Sequence, residues 1–176
     1  NLLFIGSFRH FPNVRAYQFF VGQVWPLLEN QHPAIRATVV AGPYPHLYWP
    51  HPAPHARIEL RGFTADVRPL YSDANLVLIP TVVSAGTNLK ALEAMAMQRA
   101  IVSTSSGVAG LGLEHGRSVW IADSAQEFAA AILRLLDDAD LRATLAVNAR
   151  NIAVARYGWP ALAELQTELW RSLLVP

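Results

Sequence analysis

The 176 residues carry 14 Lys or Arg against 13 Asp or Glu, so the formal charge is near zero and gives no electrostatic footprint for nucleic acid or an anionic membrane. Apolar residues make up 52% and charged residues 15%, which excludes a disordered chain and suits one domain with a substantial core. There is no cysteine, which excludes disulfides, thiolate metal sites and cysteine nucleophiles, and no apolar run approaches the roughly 18–20 residues of a membrane span.

The chain starts directly in an apolar strand, NLLFIG, without an initiator Met, and is expected to be part of a longer protein. Strand-length apolar runs follow in order at 2–6, 37–42, 57–62, 75–80, 100–104 and 118–122. Helix-period segments lie between and after them at 13–30, 65–73, 87–98, 124–137, 138–156 and 159–173. Pro26 falls inside the first of these and predicts a kink or a stop there. The proline- and aromatic-rich stretch 43–56, PYPHLYWPHPAPHA, is the one irregular excursion. Mostly apolar strands alternating with helices predict an α/β domain, a Rossmann-like doubly wound parallel sheet of about six strands with helices on both faces. Ligands then belong at the carboxyl ends of the strands.

The first strand-to-helix turn reads GSFRHFPN and holds a single glycine, Gly6. It lacks the G-x-G-x-x-G fingerprint, the P-loop pattern and the acidic residues that a Mg²⁺ site would need. The crossing after the fourth strand reads SAGTNLKALEAMA. Its small residues, Ser84, Ala85 and Gly86, allow a ligand close to the backbone. The amides of Thr87, Asn88 and Leu89 open a helix whose dipole favours an anion. Lys90 in that first turn is unfavourable unless an anion joins it, and Glu93 lies one turn deeper, spaced to accept from vicinal hydroxyls. Leu89, Leu92 and Ala96 are expected to form the buried stripe of this helix. The same Lys90–Glu93 spacing also suits an exposed i,i+3 ion pair, and these residues alone leave both readings open.

The order of residues across the chain is more specific. GTNLKALEAMAMQRAIVSTSSGVAGL resembles the donor-site segment of the group 1 glycosyltransferases, a retaining, family 4-like group with the GT-B fold. FIGSFRHFPNVRAYQFFVGQVWPLL, LRGFTADVRPLYSDANLVLIP and ARYGWPAL resemble further segments of the same family in the same order. The resemblance implies that residues 1–176 are the carboxy-terminal, nucleotide-sugar-binding domain, and that an N-terminal acceptor domain of the same protein is absent from this sequence. It implies transfer of a hexose-type sugar from a nucleotide-diphospho-sugar with retention, with no metal and no other cofactor.

Carried over by position, Glu93 matches the ribose-binding glutamate, and Gly86, Thr87, Asn88 and Leu89 with Lys90 match the diphosphate site. Gly6 and Arg9 of the first turn complete the donor set, and Arg61, Gly62 and Phe63 lie where the nucleobase is contacted. No residue is assigned a catalytic role. Two positions depart from the family: Ala85 stands where many members have a first glutamate, and Ser7 where many have an arginine, with Arg9 and Arg15 as candidate substitutes. The expected partners are the nucleotide-sugar and the missing domain, through which any membrane association would be made; the implied location is cytoplasmic.

Other features have plainer readings. His46, His51 and His55 match no zinc spacing and read as a surface loop. His10 sits on the edge that faces the site. Ser103 to Ser106 suit a helix cap, and Trp120, Trp159 and Trp170 suit core or interdomain packing. The rival to the enzyme is a non-catalytic nucleotide-binding or protein-interaction module on the same fold. A phosphorylase-like role for Lys90 as a Schiff-base lysine is not matched by the rest of the chain.

Overall fold

In the computed structural model, which describes residues 1–49, 55–83 and 86–174, six strands form one sheet. They are β1 (Leu2–Ile5), β2 (Ala37–Val40), β3 (Ile58–Arg61), β4 (Leu76–Ile79), β5 (Ala100–Ser103) and β6 (Trp120–Ile121). Every pairing is parallel and the spatial order is β3-β2-β1-β4-β5-β6, a doubly wound sheet as the alternating pattern predicts. The helices are α1 (Phe11–Phe19), α2 (Trp25–Gln31), α3 (Arg68–Asp73), α4 (Leu89–Ala96), α5 (Ala125–Asp137), α6 (Ala139–Tyr157) and α7 (Trp159–Leu174).

Alternate residues of the central strands enter two separate cores because strand side chains point to opposite faces. Leu2 and Phe4 of β1, with Leu76 and Leu78 of β4, pack under α1, α2 and α5 around Tyr17, Trp25 and Phe128. Leu3, Val77 and Ile79 face the other way, onto Tyr71 of α3, Ala91, Ala94 and Met95 of α4, and Ala149 and Ala153 of α6. The small residues of α4 let it lie close against both β5 and α6.

Three local details refine the sequence reading. Ahead of Pro26 the α-helical pattern is interrupted: α1 ends at Phe19, residues Phe20–Val24 widen into a π-helical turn, with the Trp25 amide reaching Phe20 O, and α2 resumes with Pro26 in its first turn. Placing proline at a helix start removes the problem of its missing N–H. The stripe expected on α4 is rotated: Ala91, Ala94 and Met95 are buried, whereas Leu89 is 68% exposed and Leu92 only partly covered. Ala and Met allow the close approach to the sheet, and Leu89, Leu92 and Ala96 instead line a groove against α6 and the start of α7. Trp120 packs at the core margin, but Trp159 and Trp170 are exposed and α7 has no buried residue.

Candidate nucleotide-sugar site

β1 and β4 are adjacent in space, yet the chain leaves β1 toward β2 on one side and leaves β4 toward β5 on the other. The crevice at their carboxyl ends is therefore the switch point of the sheet, where such folds bind ligands. A cleft of about 480 Å³ opens there. Gly6, Ser7, His10 and Asn13 line it from the β1–α1 turn, and Gly86 to Lys90 with Glu93 line it from the α4 side. Thr81 supplies part of the floor, and its hydroxyl, on a residue 3% exposed, has no hydrogen-bond partner among the described residues.

The α4 start is held from outside. Asn88 occupies the N-cap with extended backbone, but its side chain does not cap the helix; it donates from Nδ2 to Gly107 O at 2.8 Å. That bond ties α4 to the segment after β5, where Gly107 packs so closely on Ile79 O that a Cβ would sit 2.8 Å from it. Gly86 has φ +104, a conformation that side chains resist, and open space where a Cβ would be. A ligand can thus approach the backbone at the mouth of the helix.

Lys90 reaches across the cleft to Asn13, its Nζ donating to Oδ1 at 2.7 Å, and lies 5.9 Å from the Phe4 ring centroid. Asn13 is fixed in turn by donation from Nδ2 to Ser7 O at 2.9 Å. Its amide rests on Gly6, where a Cβ would lie 2.7 Å from Asn13 Cγ, so glycine is required at that turn by space. Burial holds the Lys90 ammonium down to about 8, partly countered by the negative charge of Glu93. Glu93 is held elsewhere: the hydroxyl of the fully buried Tyr71 donates to its Oε2 at 2.7 Å. Burial, then the adjacent carboxylate, pushes the Tyr71 phenol well up, which keeps it a donor. The i,i+3 ion pair allowed by the sequence does not form; Lys90–Glu93 is absent from the ion pairs among the described residues. Each partner is engaged by a different element.

This arrangement offers one cation at a helix start and one exposed carboxylate a turn away. It suits a ligand with an anion and hydroxyls a few ångströms apart. Comparison with known proteins gives the same direction. Residues 1–138 match the family model described as Glycosyl transferases group 1. The chain belongs to this family.

Solved structures of similar architecture include Anabaena Alr3699/HepE in complex with UDP and glucose, at 21% identity and a TM-score of 0.76, covering 97% of this chain and 48% of that one. A glycosyltransferase from Rickettsia africae ESF-5 has 13% identity and a TM-score of 0.81, covering 98% and 47%. The C-terminal domain of the group 1 glycosyl transferase LpcC from Francisella tularensis has 20% identity and a TM-score of 0.73, covering 90% and 86%. Such likenesses show the fold, that of the C-terminal GT-B domain. The chain spans about half the length of the first two proteins. No curated protein sequence matches it.

Of the residues assigned to the donor site of this group 1 glycosyltransferase chain, Gly6, Gly86, Thr87, Asn88, Leu89, Lys90 and Glu93 converge on the cleft. His10 joins them. Arg9 does not line this cleft; it borders a neighbouring aromatic pocket with Phe8, Phe11, Tyr48 and Trp49. Arg15 is exposed and stacks over Phe11, away from the cleft. Arg61 is drawn along its own strand into a two-bond fork with Glu59, while Gly62 follows β3 and Phe63 is 74% exposed; none of the three lines the cleft.

Ser84, Ala85 and His51 lie outside the described residues. His55 pairs with Glu29 at 3.0 Å, and no group of potential metal ligands occurs among the described residues. The hydroxyls of Ser103 and Thr104 donate to backbone carbonyls at the β4 end, Thr104 Oγ1 also accepts from Gly107 N at the start of the short helical turn Ser106–Val108 as the capping expectation has it, and Ser105 binds Asp123. Sequence reasoning missed the roles of Asn13, Thr81 and Tyr71. The spacing within one helix exposes Lys90 and Glu93 to inspection, but partners 77 and 22 residues away in sequence become visible only once the sheet is assembled.

Proposed function

We propose that the cleft between the β1–α1 turn and α4 binds a nucleotide-diphospho-sugar, and that residues 1–176 are the donor-binding half of a transferase that moves a hexose-type sugar with retention. The observation that carries this reading is the Lys90 ammonium, held over the start of α4 without a carboxylate partner. A diphosphate there would meet the first-turn amides, the positive end of the helix dipole and this cation together. Glu93 then takes the ribose hydroxyls one turn away. Leaving-group charge is met by Lys90 and the backbone amides at the start of α4. The acceptor and the residues that contact it belong to the other half of the protein, which also makes any contact with a membrane; no described helix is long and apolar enough to cross one.

The test is a thermal-shift and calorimetry panel of UDP, GDP, ADP and dTDP with their sugars and parent nucleosides. One nucleoside diphosphate should raise the apparent stability by mass action. Lys90→Ala should weaken that nucleotide far more than its nucleoside, and the difference should shrink in high salt. Equal proportional loss for nucleotide and nucleoside would place the phosphates elsewhere. Selective binding without sugar transfer by the full-length protein would instead identify a non-catalytic nucleotide-binding module.

A further inference from the structure

Lys90 and Glu93 are spaced to neutralise each other on one helix face, yet they do not meet. Two residues from separate elements account for this. Tyr71, the buried aromatic of α3, aims its hydroxyl at Glu93 Oε2, 2.7 Å away. Asn13, at the start of α1, presents Oδ1 to Lys90 Nζ at 2.7 Å, while its other amide atom is anchored on Ser7 O at 2.9 Å. The Asn13 amide cannot retreat over the turn, because Gly6 lies directly beneath it.

We infer that Tyr71 and Asn13 are positioning residues that keep Glu93 and Lys90 apart, so that one helix turn presents an unpaired cation and an unpaired carboxylate to different parts of one ligand. The neutrality of both holders is essential to this device. A carboxylate in place of Asn13 would quench the cation, and an arginine in place of Tyr71 would quench Glu93. Tyr71 and Asn13 hold by single hydrogen bonds that a ligand's phosphate or hydroxyls can exchange. Composition points the same way. The chain has thirteen arginines and one lysine, and the lysine is Lys90. A compact ammonium fits onto one amide oxygen, whereas a planar guanidinium presents a fork that selects a carboxylate. Among the described residues, the titratable side chains that share the cleft with the ammonium are Glu93 on its own helix and His10 from the β1–α1 turn, with the Tyr71 phenol behind Glu93.

The inference deepens the donor-site reading in its functional half, but the separation of the pair is measurable without any nucleotide. Because the chain has one lysine, [¹³C]lysine labelling gives a single side-chain Cε resonance whose pH titration reports Lys90 alone. In the wild type the midpoint should lie below the ordinary lysine value of about 10.4. In Tyr71→Phe the freed Glu93 should close on Lys90 and raise the midpoint by on the order of one pH unit. In Glu93→Gln, adding Tyr71→Phe should move it no further. A purely structural role for Tyr71 would shift the midpoint equally with and without Glu93, which would overturn the inference. So would a wild-type midpoint at or above the ordinary value, a result that needs no variant to fold. UDP, GDP and ADP titrations of the same samples separate the two ideas. If no nucleotide binds the wild type but the midpoints follow this pattern, the donor-site reading fails and the positioning stands. If nucleotide binds and Tyr71→Phe leaves the midpoint unmoved, the positioning fails and the donor site stands.

Discussion

Lys90→Met should change the way stability depends on pH, and the sign follows from burial. The folded amine titrates at about 8, against a reference value of 10.5 for the unfolded chain. Between those values the unfolded chain binds more protons, so this group makes stability rise with pH. The gap corresponds to a burial penalty of roughly 3 kcal/mol while the amine is charged, at about 1.4 kcal/mol per pH unit. Nearly all of that penalty is present at pH 7. By pH 9.5 the folded amine is neutral and somewhat over 1 kcal/mol remains, so the wild type should gain about 2 kcal/mol on the variant across this window. Tyr17, pushed up to about 12 by burial, and Tyr71, also raised, work in the opposite direction at higher pH, but both are present in the two proteins and cancel in the difference. Urea denaturation of wild type and Lys90→Met at pH 7 and 9.5 measures the quantity directly. A difference that stays constant within about 0.5 kcal/mol would show that Lys90 titrates like an exposed lysine, and the description of a desolvated cation would be wrong.

Glu93→Ala should cost about 1.5–3 kcal/mol in nucleoside diphosphate affinity by calorimetry, and about 1 kcal/mol in fold stability because the buried Tyr71 hydroxyl loses its close acceptor. Gly107→Ala would bring a Cβ within 2.8 Å of Ile79 O, so chemical denaturation should show a loss of at least about 2 kcal/mol, with weaker nucleotide binding as the Asn88 anchor shifts. Ser124→Ala removes the capping box that Ser124 and Glu127 form at the start of α5, and should cost about 1 kcal/mol while leaving nucleotide affinity within error.

The sheet was legible because its evidence is local and repeated. Five of the six strands are short apolar runs, β3 alternates Ile58 and Leu60 with Glu59 and Arg61, and each lies inside the range expected from sequence, β6 being the most shortened. The alternation of strand and helix then left little freedom in topology. The π-turn at Phe20–Val24 was not legible, since Pro26 announces a disturbance but not the way the chain accommodates it. The exposed side of α4 was misread for a related reason. Leucine is the more hydrophobic residue, but the space between β5 and α6 selects Ala91 and Ala94, and Leu89 is left at the cleft mouth. Packing distance overrode hydrophobicity there.

The site was legible in its ligand-facing groups and hidden in what supports them. Gly86, Lys90 and Glu93 lie within eight residues, so one segment displays them all. Ser7 in the position of an arginine suggested a weakened first turn with a replacement cation nearby, and Arg9 and Arg15 were the candidates. The structure answers the loss differently. Neither arginine enters the cleft; instead the Asn13 amide draws Lys90 toward the first turn, so that one ammonium stands between both strand ends. A second cation placed beside it would repel Lys90 and depress its protonation further. With one desolvated amine the cleft offers less charge but a stronger response to it, because an arriving diphosphate restores the proton that burial disfavours. Affinity for such an anion should therefore be linked to the protonation of Lys90, weakening as the pH rises through about 8.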